Sequence, residues 1–289
     1  MCAEYLHGLA TTVPPGFVGG LTVMHRLPAG GLSWGARVLL FFCRAPGTPD
    51  YPTVEVHYEP GKELERLDEV FPGFSDKVRG KVVIDFGCGE GYQAVAIARA
   101  GASRVIGVEI NERLLELARK RAASLRLEGT VGFERRLPDT LKADFIVSQN
   151  SFEHFLNPRE TLDQMLQALT PGGKLYITFG PPWYAPWGAH MSFFCRLPWV
   201  QLLFRQRTVM EARLLFRSDN ARTYRETGLA QMSVAKFEGL IAASGLTIEF
   251  RRYDCVHKMN WLQWTPMREL FVNRVSCVLT HGYISFRCT

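Results

Sequence analysis

The stretch Val82-Val83-Ile84-Asp85-Phe86-Gly87-Cys88-Gly89-Glu90-Gly91-Tyr92 decides how the rest of the chain reads. Its opening run of three β-branched residues suits a short strand buried on both faces. An acid and three glycines spaced Gly-x-Gly-x-Gly end that run, and Tyr92 to Arg99 then reads as a helix. The turn therefore falls at the carboxyl end of a strand and the start of a helix, where open α/β sheets bind ligands. Glycine lets backbone approach a ligand with no Cβ in the way. A dinucleotide loop would want its third glycine where Tyr92 stands, so the spacing disfavours a nicotinamide-dependent oxidoreductase. Asp85 suits a ligand with a positive or donor-rich end better than a pyrophosphate.

The alternation of strand-like and helix-like stretches continues downstream. Arg104 to Ile110 reads as a second strand, and Asn111 caps a helix whose Leu114, Leu115, Ala118, Ala122 and Leu125 share one face. Strands are expected at Thr130 to Glu134 and Ala143 to Ser148. Asn157-Pro158 opens a helix with an apolar stripe of Leu162, Met165, Leu166 and Leu169, which Pro171-Gly172-Gly173 stops. Lys174 to Phe179 is a fifth strand. A helix over Ser233 to Ser244 ends at Gly245, and Leu246 to Tyr253 and Val275 to Thr280 read as two closing strands. Parallel strands joined by helical crossovers place the chain in the α/β class.

Composition narrows the function. At 289 residues, 47% hydrophobic and 21% charged, the chain is globular rather than disordered or fibrous. Its net charge of +6 is uneven: residues 1–80, 81–180, 181–232 and 233–289 carry −2, +1, +4 and +3. The excess lies in the later half, with arginines that form no stripe or recognition motif, so nucleic acid is an unlikely partner. Seven scattered cysteines with no Cys-x-x-Cys pair favour reduced thiols and a cytoplasmic location. Glu4 stands where a secretory leader would be basic, and no apolar run reaches the ~18 residues of a transmembrane helix. The apolar runs from Val38 to Cys43 and from Met191 to Phe204 are read as buried rather than as membrane-touching.

Glu109 ends the second strand about 18 residues past Gly91, where a carboxylate accepts hydrogen bonds from ribose hydroxyls. With the glycine loop, the strand order and the Pro171-Gly172-Gly173 turn, it makes the chain resemble the class I S-adenosylmethionine-dependent methyltransferases, in the small-molecule group. The likeness covers residues 80–180 well and 233–280 in outline. It implies a Rossmann-like seven-stranded fold with the last strand antiparallel, built over residues 81–289. It leaves residues 1–80 as an N-terminal extension on the substrate side and residues 181–232 as a lid inserted after strand five. The implied cofactor contacts are Asp85, Gly87, Cys88, Gly89 and Gly91 of the loop, Glu109 for the ribose, Ile110 against the adenine, and Asn150 and Ser151 after strand four. Cys88 is read as a small space-filler there rather than a nucleophile. The acid often found near the adenine amine after strand three has no clean equivalent, Asp139 being nearest, with Arg136 and Leu137 in less conforming positions.

Methyl transfer from a sulfonium is an in-line displacement, so the protein must align donor and acceptor and, for a hydroxyl, remove a proton. Candidates for that chemistry are Glu153 and His154 after strand four and His190 after strand five. The pair Glu153-His154 is similar to one in ubiquinone-pathway O-methyltransferases and small-RNA 3′-end methyltransferases that helps bind a divalent ion. Those relatives carry a further acid where this chain has Asn150, and losing a negative ligand weakens an oxygen-preferring site. A divalent ion is left open and not favoured, and no metal ligand is assigned. The expected reaction is O-methylation of a small molecule such as a sugar, polyketide or lipid-linked intermediate, with an anionic or lipid-linked acceptor suggested by the basic lid. N- or C-methylation, and cofactor binding without turnover, stay open at this level.

Overall fold

The computed structural model describes residues 31–43, 61–138 and 140–281. Its centre is a seven-stranded sheet: β1 (Val82–Phe86), β2 (Arg104–Val108), β3 (Val131–Glu134), β4 (Ala143–Gln149), β5 (Leu169–Phe179), β6 (Thr247–Cys255) and β7 (Val272–Thr280). The spatial order is β3-β2-β1-β4-β5-β7-β6. β1 to β5 pair in parallel, and β7 runs antiparallel to both β5 and β6. Strand order reverses beside β1, with β2 on one side and β4 on the other, so the loops after β1 and β4 flank a crevice at the carboxyl ends. That is the Rossmann-like methyltransferase arrangement expected from the sequence.

The helices are α1 (Trp34–Phe41), α2 (Glu63–Val70), α3 (Phe74–Lys77), α4 (Tyr92–Arg99), α5 (Glu112–Ser124), α6 (Pro158–Ala168), α7 (Val200–Leu203), α8 (Gln206–Arg213), α9 (Val234–Ala242) and α10 (Arg268–Phe271). On one face of the sheet, α6 and α9 bury Leu162, Met165, Val234, Phe237 and Ile241 against Ile84, Ile146 and Ile177. On the other, α2 to α5 bury Leu67, Phe74, Ala94, Ile97 and Leu115 against Val83, Val147 and Tyr176. β1 is thus covered on both sides, as its unbroken apolar run requires. Among the described residues, no helix is long and apolar enough to cross a membrane.

The predicted caps are mixed. Asn111 Oδ1 accepts from the backbone N–H of Arg113 at 3.1 Å, and Ser233 Oγ accepts from Lys236 N–H at 3.2 Å. Asn157 makes no such bond; Pro158, at the first turn, sets the entry to α6 instead. The Pro171-Gly172-Gly173 turn does not stop α6, which ends at Ala168. It lies within β5, where the pairing with β4 jumps from Ala143–Leu169 to Phe145–Lys174. Gly172 has φ +75° and Gly173 packs where a Cβ would sit 2.8 Å from Thr170 O, so the turn is a bulge that keeps the chain in the sheet. The helical stripes were drawn slightly too wide, since Leu125 lies past the end of α5 and is exposed.

Residues 181–232, irregular by sequence, contain α7 and α8. Phe194 and Phe216 stack at 4.6 Å, Trp183 meets Tyr224 edge-on at 4.7 Å, and both pairs lie in a cluster with Leu32, Ala36 and Leu39 of the α1 segment. Most aromatics of residues 181–232 are therefore core. Ser33 joins the two segments, donating from its backbone N–H and Oγ to the Glu211 carboxylate, both at 2.6 Å. Among the arginines of residues 181–232, Arg213 is buried and forks onto Asp219, and Arg217 lies 4.5 Å over Phe193.

Candidate active site

The glycine loop is shaped from within and leaves one side open. Gly87, Gly89 and Gly91 all have positive φ, of +82°, +53° and +77°, which a side chain resists. A Cβ on Gly91 would lie 2.7 Å from Phe133 and 2.8 Å from Ala118, so this glycine lets α4 approach β3 and α5. A Cβ on Gly87 would lie 2.4 Å from Ser151 Oγ. Ser151 in turn donates to Gly87 O at 3.3 Å or to Gln149 O at 3.0 Å, tying the loop after β4 to the loop after β1. Around Gly89 there is no heavy atom within 4 Å of the Cβ position, so space opens there.

Asp85 is buried, and its Oδ1 accepts from Gln93 Nε2 at 2.7 Å. Its Oδ2 has no hydrogen-bond partner among the described residues. Burial pushes its pKa up to about 7, against hydrogen bonds from Gln93 and the Ala94 backbone, with the Glu109 charge adding to the rise. Glu109 is half-buried at the end of β2. One oxygen accepts from Gly89 N–H at 3.0 Å and the other from Asn111 N–H at 2.8 Å. Ile110 beside it is 78% exposed, an apolar side chain with nothing packed on most of it. Asn150 has φ +51° and donates its N–H to Thr178 O at 2.9 Å.

Cys88 is nearly enclosed, its sulfur 2.8 Å from where a Gly107 Cβ would be. Burial, then the charges of Asp85 and Glu109, raise its pKa, so it stays a thiol that fills space. Asp139 falls outside the described residues, and Arg136 is exposed.

The Glu153-His154 pair divides. Glu153 turns into the interior, where Oε1 accepts from Gly180 N–H at 3.2 Å and Oε2 has no partner among the described residues. Burial raises its pKa to about 7, opposed by backbone hydrogen bonds at Glu153 and Gly180. His154 stays at the surface end of the same turn, its Nδ1 3.1 Å from Gly228 O. A carbonyl only accepts, so Nδ1 carries the proton of the neutral ring and Nε2 keeps its lone pair.

His190, at φ +54°, arrives from the loop after β5 and stands with its ring 5.4 Å from that of His154. Burial, then the proximity of His154, lower its pKa to about 4, against a hydrogen bond to the Pro181 carbonyl. Its Nε2 is buried with no partner among the described residues. Burial lowers the pKa of His154 too, its bond to Gly228 acting against that. Both rings are neutral at pH 7 and both present a bare Nε2.

Sequence reading missed Gln93, Gly107, Gly180 and Gly228 as partners. Only Gln93 left a usable trace, a polar residue on the inward face of the first turn of α4. Among the described residues, no three His, Cys, Asp or Glu side chains are grouped to hold a metal ion.

A methyltransferase-domain family model matches residues 56–248, about two thirds of the chain. The chain belongs to the class I S-adenosylmethionine-dependent methyltransferase family. Among curated relatives, a ribosomal protein L11 methyltransferase of Vibrio cholerae serotype O1 is 32% identical over 135 residues, 46% of this chain and 40% of that protein. A ubiquinone biosynthesis O-methyltransferase of Coxiella burnetii is 31% identical over 104 residues, 35% of this chain and 44% of that protein. The chain thus spans less than half the length of these relatives. A solved S-adenosylmethionine-dependent methyltransferase from Listeria monocytogenes, 17% identical, superposes with a TM-score of 0.51 over 76% of this chain and 96% of its own. One from Mesorhizobium loti, 20% identical, does so at 0.50 over 76% and 97%. At such identities these two speak for the fold alone.

The residues present fit the family's cofactor. A carboxylate at the end of β2, an uncovered isoleucine beside it, a glycine loop open at Gly89 and a buried unpartnered oxygen on Asp85 answer a ribose, a base and a cationic amino-acid end.

Proposed function

We propose that this methyltransferase moves a methyl group from S-adenosylmethionine to an oxygen of a small-molecule acceptor. When bound, the cofactor supplies an electrophilic methyl on a sulfonium. Gly87, Gly89 and Ser151 would hold its amino-acid part, with Asp85 as the anionic group. Glu109, which accepts from Gly89 and Asn111, would hold the ribose, and Ile110 would offer an apolar surface to the base. Asn150, fixed by Thr178, borders the transfer site.

One observation carries the choice of oxygen: His154 and His190 bring two neutral imidazoles, each with an uncommitted Nε2, to the ends of neighbouring strands. An alcohol or phenol must lose its proton as the new bond forms, and an imidazole lone pair is suited to take it. His154, on the solvent side, is the better base, because a proton it accepts can leave to water. Glu153 acts through the backbone it binds, steadying Gly180 and the loop that carries His190; it is a positioning residue rather than the base. The lid over 181–232, packed on α1, shields the transfer from water, and its exposed arginines favour an anionic or lipid-linked acceptor.

Calorimetry with S-adenosylhomocysteine and with NAD⁺ tests the cofactor. Binding of the first and not the second is expected, and Glu109→Gln should weaken it by about 2 kcal/mol, roughly 30-fold, for loss of charge-assisted bonds. Preferential NAD⁺ binding would sink the reading. Turnover is tested with radiolabelled S-adenosylmethionine on hydroxylated acceptors and their amine analogues. Label on the amines alone would overturn the choice of oxygen, and binding without label on any acceptor would favour a protein that holds the cofactor without turnover.

A further inference from the structure

Two cysteines far from the glycine loop stand in a relationship that methyl transfer does not use. Cys43, just past α1, and Cys195, in the lid, are Cα partners in an isolated antiparallel bridge. The hydrogen bond recorded at that bridge runs from Arg196 N–H to Phe42 O at 3.1 Å. It joins the residue after one cysteine to the residue before the other, which puts the cysteines themselves at the non-hydrogen-bonded position. There Cα atoms approach to about 4.5 Å and side chains lie closest, within the ~4.4–6.8 Å that disulfides span.

Both thiols are free. Cys43 is half-buried and Cys195 is almost fully enclosed. The Cys43 Sγ lies 3.3 Å from Leu39 O and also reaches the Cys195 sulfur. That contact from Cys43 lowers the pKa of Cys195 and raises that of Cys43, as expected when two sulfurs share one proton. The other described cysteines, Cys88, Cys255 and Cys277, are buried, and the strand partners of Cys255 and Cys277 are not cysteines.

We propose that Cys43 and Cys195 are a reversible disulfide site that fastens α1 to the lid. The oxidant is a low-molecular-weight disulfide such as oxidised glutathione. Cys43 gives up its proton as its sulfur attacks one sulfur of that disulfide; a mixed disulfide forms, and the first small thiolate leaves and takes up that proton. Cys195 then loses its proton and attacks the Cys43 sulfur, and the second small thiolate leaves with that proton. Two cysteine thiols are oxidised by two electrons, and one small disulfide is reduced to two thiols. Cys43 is the point of entry because it is the more accessible sulfur, and Cys195 resolves because it stands directly across the bridge from it.

The bond would close the chain between 43 and 195, five residues beyond His190, and restrain the lid on α1. Slower exchange of acceptor under oxidising conditions is the consequence, and that consequence alone rests on the methyl-transfer reading. The full chain is incubated with oxidised glutathione, its remaining thiols are alkylated, and its peptides are mapped by mass. A linked pair of Cys43 and Cys195 peptides is expected, lost on adding dithiothreitol and absent in Cys43→Ser, Cys43→Ala and Cys195→Ala. Proteolytic cleavage within 181–232 should slow several-fold in the oxidised wild type and not in oxidant-treated variants. Thermal melting confirms that each variant folds. Glutathione adducts without the linked pair, or linkage of Cys43 to another cysteine, would overturn the site. A linked pair with unchanged cleavage would overturn the restraint. Failure of the chain to bind S-adenosylhomocysteine would instead count against the methyl-transfer reading and leave the bond standing.

Discussion

The imidazoles of His154 and His190 meet edge to face, 5.4 Å apart with an 84° angle between planes, although one follows β4 and the other follows β5. Gly228 O fixes the tautomer of the first. Two imidazoles this close resist double protonation, and burial already holds both below the ordinary histidine value. Methyl transfer to a hydroxyl acceptor should therefore be flat from about pH 7 upward and fall only on the acid side of the ordinary histidine pKa of about 6.5. His154→Gln should lower kcat by on the order of 10²-fold and remove that acid limb. A rate and pH profile untouched by the substitution would exclude His154 as the base.

Gly87 and Ser151 set how closely the β1 and β4 loops approach. Gly87→Ala must place its methyl 2.4 Å from Ser151 Oγ at φ +82°. Overpacking costs about 1–3 kcal/mol and the left-handed conformation roughly 1–2 kcal/mol more. A loss of about 2–5 kcal/mol in urea unfolding is expected, with weaker S-adenosylhomocysteine binding. Adding Ser151→Ala removes the hydroxyl but leaves the residue 151 Cβ 2.7 Å from the new methyl and the backbone cost in place, so the double variant should recover only part of the stability. Full recovery would mean that the remaining contact and the backbone strain at Gly87 are both negligible.

What the sequence made legible was what neighbours in the chain encode. Val82-Val83-Ile84 followed by Gly-x-Gly-x-Gly is a strand, turn and helix by local chemistry alone, and Asn111 and Ser233 cap the helices they precede. The site residues drawn from these stretches stand where expected at strand ends. Contacts between distant segments were hidden. Leu67, Phe71 and Phe74 pack under Tyr176 on the sheet, yet a Gly- and Pro-rich sequence around them masked two short helices. His154 is oriented by Gly228, 74 residues away, and nothing in either stretch announces the other. Glu153 looked like a partner of His154 because they are adjacent, but a three-residue 3₁₀ turn sends the two side chains different ways. The Pro171-Gly172-Gly173 turn misled because the same residues that end helices also make bulges.

Asp85 should couple cofactor binding to pH. With a pKa raised to about 7 in the unliganded protein, it is largely protonated below that value. A cationic amino-acid end near its unpartnered oxygen favours the ionised form. Binding then releases a proton at pH 6 and much less at pH 8, and affinity climbs as pH rises toward about 7 before levelling. Asp85→Asn should weaken binding and flatten the dependence between pH 6 and 8. Calorimetry in buffers of different ionisation enthalpy counts the proton directly, and a count of zero at pH 6 in the wild type would remove Asp85 from the cofactor's charge balance.

Glu153 makes a prediction about stability that needs no substrate. Its pKa is about 7 folded, against 4.5 ordinarily, so the folded state holds a proton that the unfolded chain has released between those values. Its contribution is therefore greatest at acid pH and is lost as pH rises through about 7. Asp85 acts in the same direction. His190 opposes them, since its folded pKa of about 4 gives stability above the ordinary histidine value that is lost as pH falls toward 4. The wild-type curve mixes these slopes, but Glu153→Gln isolates one of them. The amide keeps the size and can still accept from Gly180, and it does not titrate. Relative to wild type the variant should gain stability from pH 5 to about 7 and level off above it, read as the difference in urea midpoints at each pH. A constant difference across that range would mean that Glu153 has an ordinary pKa and that its carboxylate is ionised in the folded protein throughout.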